Sequence, residues 1–286
     1  MSTMTQILPK NQTLKETVVY GADKFRLLTV LKNIWDYRLL LWVFCKRDLK
    51  GRYSQTILGL GWVILTPLIT VGVFVIVFGV MMRVPTDGLP TVMFYLVAVI
   101  PWYSFLNVLN PSIQMIEGNA SLITKVYFPR ALLGGAYAMG AAVDFMMAYI
   151  FLITPFSIIY GVWSIKLLVI MPFLLLTTLM IGLGVGLILA PINAKYRDIK
   201  HFTPLALQLF YYSTPAIYPV SAVPIWAKPW YGVNPLSLVI TSYREVLMGH
   251  WPSPTIIMTL SCMAIITFFV GLTAFHQMEH KVVDIL

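Results

Sequence analysis

Three cations in a short basic stretch are the residues of this chain best suited to bind a phosphate group. Arg47, Lys50 and Arg52 lie within six positions, just before the first long apolar run. Guanidinium and ammonium groups bind phosphate oxygens through charge-assisted hydrogen bonds. The pattern therefore predicts contact with a phosphate-bearing substrate or, alternatively, an anchor on anionic lipid, where each cation contributes about 1 kcal/mol.

An amphipathic helix over residues 25–53 is predicted to carry these cations. Its apolar positions recur at spacings of three and four residues: Leu28, Leu31, Trp35, Leu39 and Trp42. A helix with a broad apolar face and a cationic face lies along a membrane surface. We expect it at the cytoplasmic leaflet, as a lipid anchor, as a contact for a cytoplasmic motor, or as both. Residues 1–24 are polar and are predicted to form a flexible N-terminus without a cleavable signal.

Six apolar segments follow this helix and fill most of the chain. Residues 57–82 contain no charged residue, and as a helix they would be roughly 39 Å long, against roughly 30 Å for a bilayer core. The chain is 59% hydrophobic and 11% charged, whereas soluble domains are about 25% charged. The sequence predicts an all-α polytopic membrane protein with one transmembrane domain over residues 54–286. The predicted spans are about 57–82, 92–116, 131–160, 167–192, 202–219 and 255–275.

The distribution of cations predicts the orientation of these spans. Sixteen of the twenty Lys and Arg residues fall on one side of the membrane if the N-terminus is cytoplasmic. The positive-inside rule then places both termini in the cytoplasm, and we expect a multi-pass protein of the bacterial inner (plasma) membrane. The net charge of +9 is thus explained by topology and contact with membrane lipid, and no nucleic acid partner is predicted.

Two short segments, 117–130 and 193–201, are predicted to face the cytoplasm between spans and to contact a partner. In the first, Asn119 or Ser121 would cap a helix of about two turns. The second has the composition of an ordinary positive-inside loop, which is the alternative interpretation. The candidate coupling residues are Glu117, Lys125, Tyr127, Arg130, Arg197, Asp198 and His201.

Residues 220–254 are apolar enough to enter a membrane, but their prolines prevent them from spanning one. Asn234 as N-cap, Pro235 at the first helical position and Gly249 after the last turn predict a helix of roughly fourteen residues. That length suits a re-entrant or interfacial helix. We interpret the segment as an outer gate, with aromatic anchoring at the interface as the alternative. Its candidate residues are Trp226, Trp230, Tyr243, Arg244 and Glu245.

Within the third span, Asp144 is the only carboxylate and lies far from either end. An acid inside a membrane usually faces the interior of a helix bundle and has a partner. We expect a hydrogen bond from a Thr, Ser or Tyr of another helix, with a role in the conduction path as the alternative. In the fourth span, Gly182, Gly184 and Gly186 predict the close approach of other helices.

Aromatic residues make up 14% of the chain, and many lie in or near the spans. Membrane-interface belts are one explanation. The other is a corridor of flat faces along which sugar rings slide, because aromatic rings offer apolar contact with few fixed hydrogen bonds. The candidate lining residues are Trp62, Phe94, Tyr95, Trp102, Tyr103, Tyr211, Tyr212 and Tyr218.

Motifs of catalysis and of nucleotide binding are absent from the sequence. It contains no GxxxxGK[ST] loop, no HExxH, no GxSxG and no Cys/His metal spacing. We therefore predict a protein that is not an enzyme and holds no cofactor or metal of its own. A permease subunit fits, with ATP and Mg²⁺ bound in a separate ATPase, and six spans suggest half of a pore completed by a second copy.

Several short motifs occur in order between Trp35 and Phe275. They are RDLKGRYSQTILGLGWVILTPL from Arg47, VYFPR from Val126, VDF from Val143, YRDIKH from Tyr196, TPAIYP from Thr214 and NPLSLVITSYREVLMG from Asn234. Together they resemble the permease subunits of polysaccharide ABC exporters, which are the O-antigen, teichoic-acid and capsule transporters.

The resemblance implies a homodimer with two nucleotide-binding ATPase subunits that exports a glycan linked to a polyprenyl diphosphate lipid. It implies that residues 25–53 are the interface helix, that 117–130 hold a coupling helix and that gate helices follow Pro219. It also implies that Arg47, Lys50 and Arg52 reach the lipid diphosphate. O-antigen is the favoured cargo, ahead of teichoic acid and capsule glycan, and related ABC permeases export drugs or other lipids.

Two other classes remain open at this point. A membrane-embedded glycosyltransferase would need grouped acids or a metal cluster, and the eleven acids of the chain form no such group in the sequence. An ATP-independent channel would work without an ATPase, so copurification with a nucleotide-binding partner separates the two ideas.

Overall fold

The computed structural model describes residues 36–126, 128–196 and 198–283, with side chains up to residue 279. Every regular element in these ranges is helical, which confirms the predicted all-α class. The predicted N-terminal segment 1–24, the first part of the amphipathic helix, Tyr127 and Arg197 lie outside the described residues.

Twelve α-helices occur in the described ranges. In chain order they are α1 (Arg38–Tyr53), α2 (Trp62–Phe74), α3 (Thr91–Ile113), α4 (Met115–Gly118), α5 (Ala120–Ile123), α6 (Ala131–Ala148), α7 (Thr154–Ile159), α8 (Ile165–Lys195), α9 (Ile199–Tyr212), α10 (Lys228–Val233), α11 (Pro235–Leu247) and α12 (Pro254–Val283). Short 3₁₀ segments at Gly59–Gly61 and Val220–Ala222 and π-helical segments at Val75–Met81 and Tyr149–Ile153 adjoin them.

Five helical stretches in the described part of the chain are long and apolar enough to cross a membrane. They are Gly59–Met81, Thr91–Ile113, Ala131–Ile159, Ile165–Lys195 and Pro254–Glu279. Each overlaps a predicted span, although the last continues well beyond the predicted end at residue 275.

The predicted fifth span, 202–219, differs from the structure. Helix α9 begins at Ile199 and ends at Tyr212, so its 14 residues extend about 21 Å at about 1.5 Å per residue. The helix stops there because Thr214 precedes Pro215, and the residue before a proline avoids helical geometry. The six-span count therefore remains a prediction.

Helix α3 is the central helix of the bundle, and most of its side chains are buried between α2, α6 and α8. Helices α8 and α12 cross in backbone contact, since a Cβ on Gly184 would collide with the carbonyl of Thr267. Gly182 faces Phe105 and Gly186 faces Ser112, both on α3. The three glycines thus allow close helix packing, as predicted.

Contacts at the two ends of the bundle show which segments lie together. At one end, Arg130 Nη1 donates to the main-chain oxygen of Glu279, 3.2 Å away, so the start of α6 meets the end of α12. At the other end, Lys166 Nζ lies 2.6 Å from the carbonyl oxygen of Gly249. Ser221 Oγ donates to Asp87 at 2.7 Å, which joins the loop before α3 to the segment after α9.

Candidate functional site

A cluster of polar side chains joins the end of α1 to the bundle. Arg52 Nη1 lies 3.3 Å from Asp144 Oδ2, and Arg52 Nη2 lies 2.7 Å from Asp48 Oδ2. Tyr53 donates its hydroxyl to Asp144 Oδ1 at 2.8 Å, and the amide of Asn107 donates to Asp144 Oδ2 at 3.3 Å. We call Asp48, Arg52, Tyr53, Asn107 and Asp144 the inner clasp, because they connect α1 with α3 and α6.

The electrostatics of the inner clasp follow from its partial burial. The Asp144 residue is 3% exposed, whereas the Arg52 side chain keeps 20% of its surface exposed. Burial raises the pKa of the Asp48 carboxyl, while the neighbouring Arg52 guanidinium opposes that shift. Gly140 gives α1 room to approach, since a Cβ there would lie 3.1 Å from Asp48 Oδ2. One guanidinium with five donors thus joins two carboxylates on two helices.

A cavity of about 220 Å³ lies beside the inner clasp. Its lining includes the clasp residues Tyr53, Asn107 and Asp144 and two aromatic residues, Trp62 and Tyr103. The Tyr103 hydroxyl is 3.0 Å from Thr70 Oγ1, a contact that fixes the ring against α2. Two predicted aromatic residues therefore share a cavity with the predicted intramembrane acid.

The three cations predicted to bind phosphate have three different surroundings. Arg52 belongs to the inner clasp, and Lys50 is exposed. Arg47 Nη2 donates to Asn119 Oδ1 at 2.6 Å, and its guanidinium lies 5.1 Å from the centre of the Phe44 ring. The lipid-diphosphate contact remains a prediction. Arg47 and Lys50 are both exposed, whereas Arg52 is half-buried.

Asn119 connects α1, the short helices and α6. Besides accepting from Arg47, its amide donates to the main-chain oxygen of Met115 at 2.9 Å and to the Tyr137 hydroxyl at 3.1 Å. Its side chain makes no cap for α5, although it occupies the N-cap position. Asn119 therefore links the 117–130 segment to α1 and α6 by direct hydrogen bonds.

Among the predicted coupling residues, one contacts another helix and most of the others have exposed side chains. Arg130 contacts Glu279, whose carboxylate Oε2 lies 3.9 Å from Arg130 Nη1. Glu117 is half-buried, and the others with described side chains are exposed: Lys125, Asp198 and His201. Such a surface is accessible to a partner protein.

The aromatic residues predicted to line a passage fall into two groups, one buried inside the bundle and the other at least partly exposed. Phe94 and Tyr95 have 0% exposure, so they belong to the packed core of this conformation and present no face to a passage. Trp102 is also buried and packs on Tyr211, with ring centroids 4.7 Å apart. The remaining predicted rings are half-buried or exposed: Trp62, Tyr103, Tyr211, Tyr212 and Tyr218. The corridor, which stays a prediction, can use the second group in this conformation, together with the 7% of the Trp102 surface that remains exposed beside a groove.

At the opposite end of the bundle, Arg244 on α11 is buried and bound by main-chain oxygens. Its guanidinium donates to the carbonyls of Ala216, Phe94 and Tyr218 at 3.2, 3.4 and 3.4 Å. It also lies 3.5 Å from the centre of the Phe94 ring, in cation–π geometry. We call this arrangement the outer pin, because it joins α11, α3 and the segment after α9.

The other predicted gate residues differ in environment. Trp226 and Trp230 are 78% and 72% exposed, Tyr243 is buried and Glu245 is half-buried. Helix α11 begins as predicted, since Asn234 Oδ1 accepts hydrogen bonds from the backbone N–H groups of Leu236 and Ser237. Sequence reasoning thus found the helix without finding what Arg244 binds.

Sequence reasoning missed five residues that join the elements of the site. They are Asp48, Tyr53, Asn107, Glu279 and Tyr137. Only the Asp48–Arg52 pair carried a signal in the sequence, because residues four apart on a helix face each other. The other partners come from distant positions, and only the tertiary fold brings them together.

The family description "ABC-2 type transporter" matches residues 39–248, which is most of the chain and includes the inner clasp and the outer pin. This chain belongs to the ABC-2 type transporter family. The membership confirms the ABC transporter resemblance carried by the motifs.

Relatives of known role resemble this ABC-2 family member over nearly its whole length. An O-antigen export system permease protein RfbA from Myxococcus xanthus is 27% identical over 258 residues, covering 89% of this chain and 98% of the relative. A protein of the same name from Klebsiella pneumoniae is 28% identical, with 86% and 95% covered. The polysialic acid transport protein KpsM of Escherichia coli is 24% identical, with 82% and 91% covered.

Proposed function

We propose that this ABC-2 family member is the transmembrane subunit of an ATP-driven exporter that moves a polyprenyl-diphosphate-linked polysaccharide out of the cytoplasm. The observation that carries the proposal is the near full-length similarity to permeases of O-antigen export systems. O-antigen is the favoured cargo for the same reason. The similarity to a polysialic acid transporter makes capsule glycan the second candidate, and teichoic acid is the third.

The hydrolysis of ATP belongs to a separate subunit in this proposal. The sequence contains no GxxxxGK[ST] phosphate loop, and the described residues contain no cluster of His, Cys, Asp and Glu suited to a metal. Two ATPase subunits, holding ATP and Mg²⁺, would act on two copies of this chain, because two-fold symmetric dimers are the commonest assemblies of identical chains.

Six membrane crossings with both termini in the cytoplasm fit the contacts at the ends of the bundle. Lys195 ends α8 at the end opposite Lys166, and Lys166 lies beside Gly249. The chain between residues 195 and 249 therefore passes from one end of the bundle to the other. We propose that α9 and the turn after it make this fifth crossing, with α10 and α11 entering from the outer side as a gate.

Motion of the ATPase would reach the bundle through α1 and the 117–130 segment. Arg47 and Asn119 join these two elements, and the inner clasp joins α1 to α6. Substitution of Arg130 by Ala should lower export severalfold, because it disconnects the start of α6 from Glu279. Quantitative surface-glycan blots measure export, and membrane fractionation checks that insertion is unchanged. Unchanged export would remove Arg130 from the coupling route.

The function itself is tested by reconstitution of this chain with the ATPase subunit of the same organism in vesicles loaded with radiolabelled lipid-linked glycan. Export should require both proteins and ATP, and an ATPase variant without its phosphate-loop lysine serves as the matched control. Glycan movement by this chain alone would contradict the proposal and favour a passive channel. Elongation of the glycan by this chain alone would favour a membrane-embedded glycosyltransferase.

A further inference from the structure

A groove of about 530 Å³ runs between α3 and α9. Along α3 it extends from Trp102 to Gln114, which is about 18 Å at about 1.5 Å per residue. Pockets for small ligands commonly measure about 300–1,000 Å³, so the groove is large enough to hold part of a chain-like molecule. Its size follows from the loose packing of α9, in which only Thr203 is buried.

The groove combines aromatic rings with side-chain amides. Trp102 and Tyr211 supply the rings, and their centroids lie 4.7 Å apart at one end. Asn110, Gln114 and Gln208 supply the amides, each of which offers two donors and one acceptor oxygen. All three amide residues are exposed, and within the described residues none of their side chains has a hydrogen-bond partner. We call this feature the amide groove.

The amide groups form an organised face. Tyr103, Asn107 and Asn110 on α3, and Gln114 directly after its last residue, follow one another at spacings of four, three and four, so they lie on one side of the helix. Asn107 belongs to the inner clasp, whereas Asn110 and Gln114 are available to a ligand. They also line a second cavity of about 610 Å³ beside Arg47 on α1. One molecule could therefore extend from the interface helix into the amide groove.

We propose that the amide groove is a glycan subsite, in which Trp102 and Tyr211 contact the apolar faces of sugar rings while Asn110, Gln114 and Gln208 hydrogen-bond to their hydroxyl groups. The proposal rests on the proposed function and adds specific residues to it. A lipid tail is a poor occupant, because it would leave three amides without partners. Lys200 is the one charged residue that lines the groove in the described chain, so the subsite favours neutral or acidic sugars over amine-bearing ones.

Cysteine accessibility tests this proposal without dependence on export. Cys262 is exposed and is replaced by Ser, whereas Cys45 is buried and stays. Asn110→Cys is then labelled with a hydrophilic maleimide in inside-out vesicles without ATP, prepared from cells that synthesise the lipid-linked polymer and from cells that cannot. Polymer in the groove should slow labelling on the order of tenfold. Thr124→Cys, an exposed position on the same side, should react equally in both.

A second reporter separates ligand binding from structural disturbance. With Gln208→Cys as the reporter, the pair Asn110→Leu and Gln114→Leu should abolish most of the protection, because the loss of two hydrogen bonds of about 1 kcal/mol each weakens binding roughly thirtyfold. Ser121→Ala is the matched control, since Ser121 lines only the neighbouring cavity. Equal labelling at both reporters with and without polymer would overturn the subsite. If ATP-dependent export nevertheless persisted in reconstituted vesicles, the proposed function would stand, so the two failures can be distinguished.

Discussion

Two arginines at opposite ends of the bundle hold their surroundings together in different ways. Arg52 of the inner clasp binds two carboxylates, and 20% of its side-chain surface remains exposed. Arg244 of the outer pin is 5% exposed and binds three main-chain carbonyls and an aromatic face. One arginine joins a separate surface helix to the bundle, whereas the other lies inside it.

The contrast suggests which end of the permease moves first. The Arg52 side of the inner clasp borders water, so solvent can rehydrate the guanidinium when α1 leaves, and the one group left buried without its partners is the Asp144 carboxylate, at about 1–3 kcal/mol or more. A buried guanidinium cannot leave three carbonyls without exposing unpaired groups, each at about 1–3 kcal/mol. We therefore expect the inner clasp to open during transport while the outer pin maintains the fold around α11.

The largest effect is expected for Arg244→Met. The change removes three hydrogen bonds of a buried guanidinium and leaves the Ala216 and Tyr218 carbonyls without this donor, so the free energy of unfolding should fall by about 3 kcal/mol or more. Thermal unfolding of the detergent-solubilised protein, followed by thiol-reactive dye, measures the loss. Lys228→Met, an exposed cation on α10, is the control and should be neutral. An Arg244 variant as stable as the wild type would contradict the contrast.

An intermediate effect is expected for Asp144→Asn. Arg52 keeps Asp48, and Tyr53 loses a charged acceptor, so the free energy needed to separate α1 from the bundle should fall by about 1–2 kcal/mol. Hydrogen exchange over residues 38–53 measures the separation, while the rest of the bundle should remain protected. Lys46→Met, on the exposed face of α1, supplies the comparison. Exchange that rises throughout the bundle would mean that the clasp stabilises the fold as the outer pin does.

The smallest effect is expected for Tyr53→Phe, which removes one hydrogen bond and should change the same opening free energy by about 1 kcal/mol. A double-mutant cycle with Asp144→Asn gives the coupling of the pair. We expect the two changes to be less than additive, because both remove the same bond. Full additivity would show that Tyr53 acts on α1 through some other contact.

Local sequence signals predicted local structure and little beyond it. Asn234, followed by Pro235, marked the start of α11, and its side chain caps that helix. Asn119 was likewise a predicted N-cap, yet its side chain binds Arg47 and Tyr137. An asparagine caps a helix when no better partner is near, and the better partners of Asn119 come from other helices.

The sequence also did not show which aromatic residues of the predicted corridor are buried. Composition identified rings within the spans, but the spacing of Phe94 and Tyr95 did not show that both face the core. In an apolar span nearly every position is hydrophobic, so periodicity does not separate the face toward lipid from the face toward other helices. The polar positions of α3 would have been the better signal, because they mark one face of an otherwise apolar helix.

The claim that ATP-driven transport opens the inner clasp can be tested most directly by locking α1 to α6. Leu41 contacts the position where a Cβ of Gly135 would lie, at 3.0 Å, so Leu41→Cys and Gly135→Cys can be joined by a short, reducible bifunctional thiol reagent. In vesicles with the ATPase, the reagent should stop glycan export by the double variant but not by either single variant, and a reductant should restore it. Export at an undiminished rate by the crosslinked protein would contradict the account.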